Sequence, residues 1–404
     1  MEGGTFWTHQ PGFFLYTAYT LVKALVKLPV LLIYYMIHPA CRPVRQWTVQ
    51  QAFGRAMTRF IFEYASKVEF TLGPRSLEPG KEKERFVTIK PYLHGESSST
   101  ETGELPRQQE SIYQGVAQSP DPAIQPVKIG GTWYPAPLAP ESYKHQPGRR
   151  IFLHFHGGAY VIFDCRDRDV GFGAKLLLQA AGDGSAVFAP QYRLASVSFP
   201  NGRFPAALQD AITAYAHLVF RLNVPGKDVI ITGDSAGGNL ALALLRYLTE
   251  TGTTKAALPQ PGGVLLFSPW TDLTVTSEAF SQRENERLDM VPPRLLDWAY
   301  RVFLPLKVNG DPEGADPRKN AYISPNQQAI ETQVPIWVQW GARESLKEDI
   351  QAFIEVQKRA GGRLATFEIK EAPHDMFMAG EGLGFQEDAK KAAEHAIQFL
   401  DGKI

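Results

Sequence analysis

Residues Ile231 to Asn239 read Ile-Thr-Gly-Asp-Ser-Ala-Gly-Gly-Asn, an apolar strand that runs into Gly233-x-Ser235-x-Gly237 and on into a helical run of alanine and leucine. A hydroxyl held out at a sharp strand-to-helix turn is the arrangement of a nucleophile elbow. The flanking glycines permit the tight turn and close backbone approach, and the start of the helix points amides at the same spot. Ser235 is therefore the candidate nucleophile. A bare Gly-x-Ser-x-Gly arises by chance in roughly one chain in ten of this length, so the pentapeptide alone is weak. A second element upstream adds weight. Ile151, Phe152 and Leu153 read as a buried strand ending in His154-Phe155-His156-Gly157-Gly158-Ala159-Tyr160. A small-residue loop after a central strand can offer the amides of Gly157, Gly158 and Ala159 to a developing oxyanion, and Ala236, next to the serine, offers another.

An attacking serine needs a base and an orienting acid, and in this order of motifs the base comes last. Of the nine histidines, His374 and His395 lie late enough. His395 falls in Gln386 to Leu400, an amphipathic helix with Ala393, Ile397 and Leu400 as its apolar stripe, and reads as a surface residue. His374 follows the strand-like Ala365 to Ile369 and the turn Ala372-Pro373, where rigid scaffolds display catalytic groups, and is the candidate base. For the acid, Glu344 in the turn after the apolar strand Ile336 to Trp340 is favoured. Asp272, which follows the strand Gly263 to Phe267, stays as an alternative, and Glu348 and Asp349 read as helix residues.

Patterning divides the chain in two. Residues 1–65 are apolar and helical in pattern; in 66–404 strands and helices come to alternate, the mark of a doubly wound, mostly parallel α/β sheet. The Ser, Thr and Glu-rich stretch Gly95 to Gln109 predicts a mobile surface loop at about 95–125. Lid material is expected at about 275–325, although packing on the core accounts for most of its apolar residues, among them Met290, Leu295, Leu296 and Trp298.

A formally neutral chain of 404 residues, 44% hydrophobic, can bury a large core and carries no basic stripe for nucleic acid. Two cysteines, Cys41 and Cys165, exclude a disulfide framework and lack metal-ligand spacing; without a glycine-rich phosphate loop, no cofactor or metal is expected. Phe13 to Ile37 has the length of a membrane span, but Lys23 and Lys27 each oppose insertion by about 2.5–3.5 kcal/mol and Pro29 interrupts the pattern. The uncharged remainder, Leu28 to Ile37, is too short to cross. Thr17, Thr20, Lys23 and Lys27 form a polar stripe opposite Leu21, Leu25 and Val26. That predicts an in-plane helix, either on a membrane surface through residues 13–37 or folded over the active site as a cap. Neither the basic start nor the cleavage site of a signal peptide is recognisable, so a cytoplasmic or endoplasmic-reticulum-membrane location is expected rather than classical secretion.

These stretches together resemble the hormone-sensitive-lipase family of α/β-hydrolases, which includes microbial carboxylesterases and membrane-anchored arylacetamide deacetylases. The resemblance rests on His156-Gly157-Gly158, Tyr192-Arg193-Leu194-Ala195 with Phe204-Pro205-Ala206-Ala207, Gly233 to Asn239, Ser268-Pro269-Trp270-Thr271-Asp272-Leu273, and His374-Asp375-x-Phe377. It spans roughly residues 125 to 404 and implies the α/β-hydrolase fold. It also implies the triad Ser235, His374 and Glu344, because the family's acid lies in a Gly-x-x-acid turn about 30 residues before the histidine. There are two departures: Ala159 stands where the family usually has a third glycine, and the acid is Glu where Asp is commoner. Alanine supplies an amide provided the position does not need positive φ. The implied activity is hydrolysis of carboxylic esters of a small to medium apolar substrate through an acyl-enzyme. An acyltransferase or cyclising enzyme would share the first half-reaction, and a non-catalytic ligand-binding relative would usually lack a triad member.

Overall fold

The computed structural model describes residues 6–70, 76–92, 111–139, 143–254, 257–305 and 316–404. Among them eight strands form one sheet: β1 (Phe86–Ile89), β2 (Ile129–Tyr134), β3 (Ile151–Phe155), β4 (Ala186–Pro190), β5 (Val229–Asp234), β6 (Gly263–Phe267), β7 (Ile336–Gly341) and β8 (Leu364–Ile369). Their order is β1-β2-β4-β3-β5-β6-β7-β8. β2 is antiparallel to β1 and β4, and the pairs from β4 to β8 are all parallel. This is the expected doubly wound fold. Ten α-helices accompany the sheet: α1 (Gly12–Ile37), α2 (Val49–Val68), α3 (Asp167–Ala181), α4 (Ala206–Ala216), α5 (Ala236–Glu250), α6 (Ser277–Ser281), α7 (Pro293–Phe303), α8 (Lys347–Arg359), α9 (Met376–Leu383) and α10 (Gln386–Leu400). α3, α9 and α10 pack together as one layer and α4 with α5 as another. Every residue of β3 to β7 is buried, which is why these strands read as unbroken apolar runs instead of alternating.

Register decides where chemistry can gather. Phe155 pairs with Gly233, Asp234 with Phe267, and Gly341 with Ile369, so the carboxyl ends of β3, β5, β6, β7 and β8 finish nearly level. The loops that follow them open along one edge of the sheet, the usual place for a ligand in an open parallel sheet.

The N-terminal segment departs from expectation. α1 continues through Pro29 as a single helix of 26 residues. A proline removes one backbone bond and crowds the carbonyl four residues earlier, but it does not stop a helix held along its length. Such holding is present: Lys67 lies over the Trp7 ring, Tyr16 stacks on Tyr64, and Thr17 Oγ1 is 2.8 Å from the Tyr64 hydroxyl. Thr20 and Tyr35 are buried and Thr17, Leu28 and Leu31 half-buried on the side toward α2, while Leu21, Leu25 and Val26 face outwards, so a mixed face of α1 meets α2 and an apolar strip is left toward the surroundings. α2 opens with a capping box between Thr48 and Gln51 and is anchored to the β8–α9 loop by Trp47, whose indole N–H donates to the Glu371 carbonyl at 2.6 Å.

Of the loop expected at about 95–125, residues 95–110 lie outside the described residues. Residues 111–125 are a packed segment and not a mobile surface loop: Ile112, Tyr113, Ala117 and Ile124 are buried, and the Tyr113 hydroxyl sits 2.8 Å from Thr213 on α4. The apolar residues there outweigh the polar stretch before them. In the expected lid, 306–315 lie outside the described residues; α6 and α7 precede them between β6 and β7.

Candidate active site

Ser235 follows β5 with φ +50° and ψ −118°, a conformation L-residues adopt at a cost of about 1–3 kcal/mol. Its surroundings enforce the turn. The Ser235 amide donates to the Phe267 carbonyl at 3.0 Å. A Cβ on Gly233 would meet the Gly237 carbonyl oxygen at 2.3 Å, and one on Gly237 would meet the Phe155 carbonyl oxygen at 1.9 Å, so both glycines are dictated by backbone contact.

His374, after β8, places Nε2 2.9 Å from Ser235 Oγ. Glu344, in the turn after β7, places Oε2 3.7 Å from His374 Nδ1, within ion-pair range though longer than a hydrogen bond. All three lie close together, and both His374 and Glu344 are buried. The other carboxylates considered are spent elsewhere. Asp272 accepts from the Thr274 amide and hydroxyl at 2.7 and 2.6 Å, closing its own turn. Asp349 pairs with Arg283, and Glu348 stands on α8. His395 is not a plain surface residue: it accepts from the Trp337 indole at 3.0 Å and packs on Phe367, because α10 lies along the sheet.

Of the four residues expected to offer amides, Gly158 and Ala159 line the cleft beside Ser235, and Ala236 is the first residue of α5. Gly157 is not among the residues lining it; a Cβ there would lie 2.4 Å from Asp234 Oδ2, so this glycine is dictated by the close approach of Asp234. Ala159 does take positive φ, +53°, as does Tyr160 at +62°. Tyr160 compensates: its hydroxyl donates to Asn239 at 2.7 Å, and its ring stacks on Phe303 at 3.9 Å.

The profile of the alpha/beta hydrolase fold family matches residues 152–378, more than half of the chain. An acetyl-hydrolase of Streptomyces hygroscopicus is 32% identical over 231 residues, 57% of this chain and 68% of the relative. The chain belongs to the α/β-hydrolase fold family. An esterase of Acinetobacter venetianus is 30% identical over 244 residues, 60% of this hydrolase and 71% of the relative. A solved hormone-sensitive lipase from a metagenome library matches with a TM-score of 0.52 at 25% identity, covering 68% of the hydrolase and 83% of that chain. These likenesses put the hydrolase among the carboxylic ester hydrolases, on the hormone-sensitive-lipase branch.

Several residues that sequence reading passed over support the site. Ser268 donates to Glu344 Oε2 at 2.6 Å and accepts from the Asp375 amide at 3.2 Å, linking the acid's turn to the histidine's. Asp289, from the segment between α6 and α7, accepts from the amides of Met290 at 2.7 Å, His374 at 2.9 Å and Ser345 at 2.7 Å. No spacing in the sequence signals either role, because apart from the adjacent Met290 the partners lie more than 50 positions away.

Buried charge sets the protonation states. Burial disfavours the imidazolium of His374, but the Glu344 carboxylate, with Asp289 behind it, outweighs burial and raises its pKa to about 9. Burial raises Glu344, and the His374 charge and Ser268 work against that. Beneath the elbow, burial raises Asp234 to about 6, while burial and the neighbouring Asp234 push Asp375 well above the usual carboxylate range. His154, 3.1 Å from Asp234, is lowered by burial to about 4 and is neutral. At neutral pH, then, Asp375 keeps its proton and the charge resides on Asp234.

The cleft above Ser235 is apolar, walled by Phe62 of α2, Ile162, Phe163, Met290, Leu295 and Met378. Its free volume is about 30 Å³.

Proposed function

We propose that the hydrolase cleaves short-acyl esters of apolar alcohols through an acyl-enzyme, with Ser235 as nucleophile, His374 as general base and Glu344 as orienting acid. The 2.9 Å contact between Ser235 Oγ and His374 Nε2 at the base of an apolar cleft carries this reading. Ser235 gives its proton to Nε2 as Oγ attacks the ester carbonyl, and the oxyanion gathers at the amides of Gly158, Ala159 and Ala236. Collapse breaks the bond to the alcohol, which leaves with the proton from Nε2; water then repeats the sequence and frees the acid and Ser235. The narrowness of the apolar cleft, with a free volume of about 30 Å³, favours a short acyl group with the alcohol directed outward. The Streptomyces relative is named an acetyl-hydrolase. A fluorophosphonate probe is expected to label the wild type but not Ser235→Ala. Across a p-nitrophenyl ester series, kcat/KM should peak at the shortest acyl chains. Undiminished hydrolysis by Ser235→Ala would overturn the assignment.

We further propose that α1 rests in the plane of a membrane. An 18-residue window of α1 has mean hydropathy 1.8, and 6% of it is buried. Leu21, Leu25 and Val26 are 61, 76 and 64% exposed, which forms an apolar strip longer than a soluble monomer normally leaves in water. The contacts of Tyr16 and Thr17 with Tyr64, and the packing of Leu31 and Tyr35 on the core, tie α1 lengthwise to the body of the protein, which favours lying on a bilayer over crossing it.

A further inference from the structure

Between α1 and α2, away from the catalytic cleft, lies a second cavity of about 260 Å³. Four cationic side chains line it: Lys27 from α1, Arg55 and Arg59 from α2, and Arg287 from the segment after α6; Glu63 is the carboxylate on its wall. Arg59 is already satisfied, by Glu63 at 3.1 Å, by Glu286, and by the Asp289 carbonyl at 3.2 Å. Arg55 is not. It is 7% exposed, its Nε has no hydrogen-bond partner, and no hydrogen bond or ion pair reaches its guanidinium among the described residues. The nearby Asp289 has both carboxylate oxygens engaged by amides, and Glu286 is taken by Arg59. A buried guanidinium without a partner is costly unless something outside the chain completes it.

We propose that this cavity binds the phosphate group of an anionic membrane lipid, whose acyl chains run out along the exposed apolar strip of α1. The forked guanidinium matches phosphate oxygens, and Lys27 and Arg287 at the exposed rim add charge where a headgroup would enter. The rest of the volume, bordered by Leu28 and Phe60, suits the glycerol end of a lipid. The site rests on the in-plane reading of α1, because the lipid must reach it from a bilayer surface.

The test is binding of the full-length protein to vesicles of phosphatidylcholine alone and of phosphatidylcholine with phosphatidic acid, at about 0.15 M salt, where diffuse attraction is screened. Binding to neutral vesicles reports α1; the gain from phosphatidic acid reports the cavity. Arg55→Gln is expected to lose about five- to tenfold of that gain. Arg287→Gln, at an exposed position that should not disturb folding, is expected to lose a smaller part. Lys23→Gln, on α1 but outside the cavity, should lose less than either. Hydrolysis of a dissolved ester should be unchanged in all three, since none touches the cleft. Equal binding to both vesicles would overturn the headgroup site while leaving the in-plane helix; failure to bind either would overturn both. Equal losses for Lys23→Gln and Arg55→Gln would also overturn it, and so would displacement of the protein from anionic vesicles by low-millimolar inorganic phosphate, since a free anion would then be the ligand.

Discussion

His374 sits where the carboxylates of Glu344 and Asp289 favour its charged form, and this has a measurable sign. Attack by Ser235 needs the neutral imidazole, so kcat/KM should climb as pH rises through the raised histidine pKa near about 9, well above that of a free histidine. Glu344→Gln removes the charge that retains the proton and leaves burial in command. Its midpoint should move to lower pH while turnover falls about 10²- to 10⁴-fold. A pH–rate profile centred on an ordinary histidine, unmoved by Glu344→Gln, would contradict the pairing. Under the elbow, Asp375→Asn should be tolerated, with turnover within about threefold of wild type, because the amide mimics the protonated acid and asparagine accepts the φ of +54°. Asp234→Asn should instead lower Tm measurably, since the amide keeps one acceptor for His154 but buries N–H donors in place of the second carboxylate oxygen. Ser235, His374 and Glu344 were readable as residues because each stands in a local strand-end signature. Ser268 and Asp289 were not, because a serine and an aspartate in loops look like ordinary turn residues until their distant partners are brought alongside.

Covering the cleft and resting on a membrane, alternatives in the sequence, fall to different N-terminal helices in the proposed reading. α2 supplies Phe62 to the cleft wall, whereas no residue of α1 lines it. A chain shortened to begin at Gln46 should therefore hydrolyse dissolved esters with kcat/KM within about twofold of full length, while losing its attachment to vesicles. A large rise in KM for dissolved esters would mean that α1 takes part in the cleft. Helix limits such as Gln386–Leu400 coincide with the amphipathic pattern. The course through Pro29 was misread because periodicity describes one helix in isolation, and contacts that hold α1 come from α2.

Across the molecule, the cleft is assembled from segments that meet nowhere in sequence. Asp289 joins three of them through amides at 290, 345 and 374. Asp289→Ala would leave those amides buried and unsatisfied, with an expected loss of about 3 kcal/mol or more in stability and a parallel fall in kcat. Loss of stability alone, with kcat intact in the folded fraction, would show that Asp289 holds the lid segment but not the histidine.

The alternation of apolar runs and helices, the glycines flanking Ser235, and the strand ends before Glu344 and His374 were determined by sequence alone, because each depends on neighbours within a few residues: a turn too tight for Cβ, or a strand buried on both faces. Tertiary structure decided what depends on distant chain. It put Nε2 of His374 at 2.9 Å from Ser235 Oγ, brought Asp234 so close to Gly157 that a side chain there would collide, and left Arg55 enclosed without a partner. It also decided the direction of α1. A hydrophobic stripe records which side of a helix avoids water, but only the packing of α2 along the other side determines that the strip through Leu21, Leu25 and Val26 points outward.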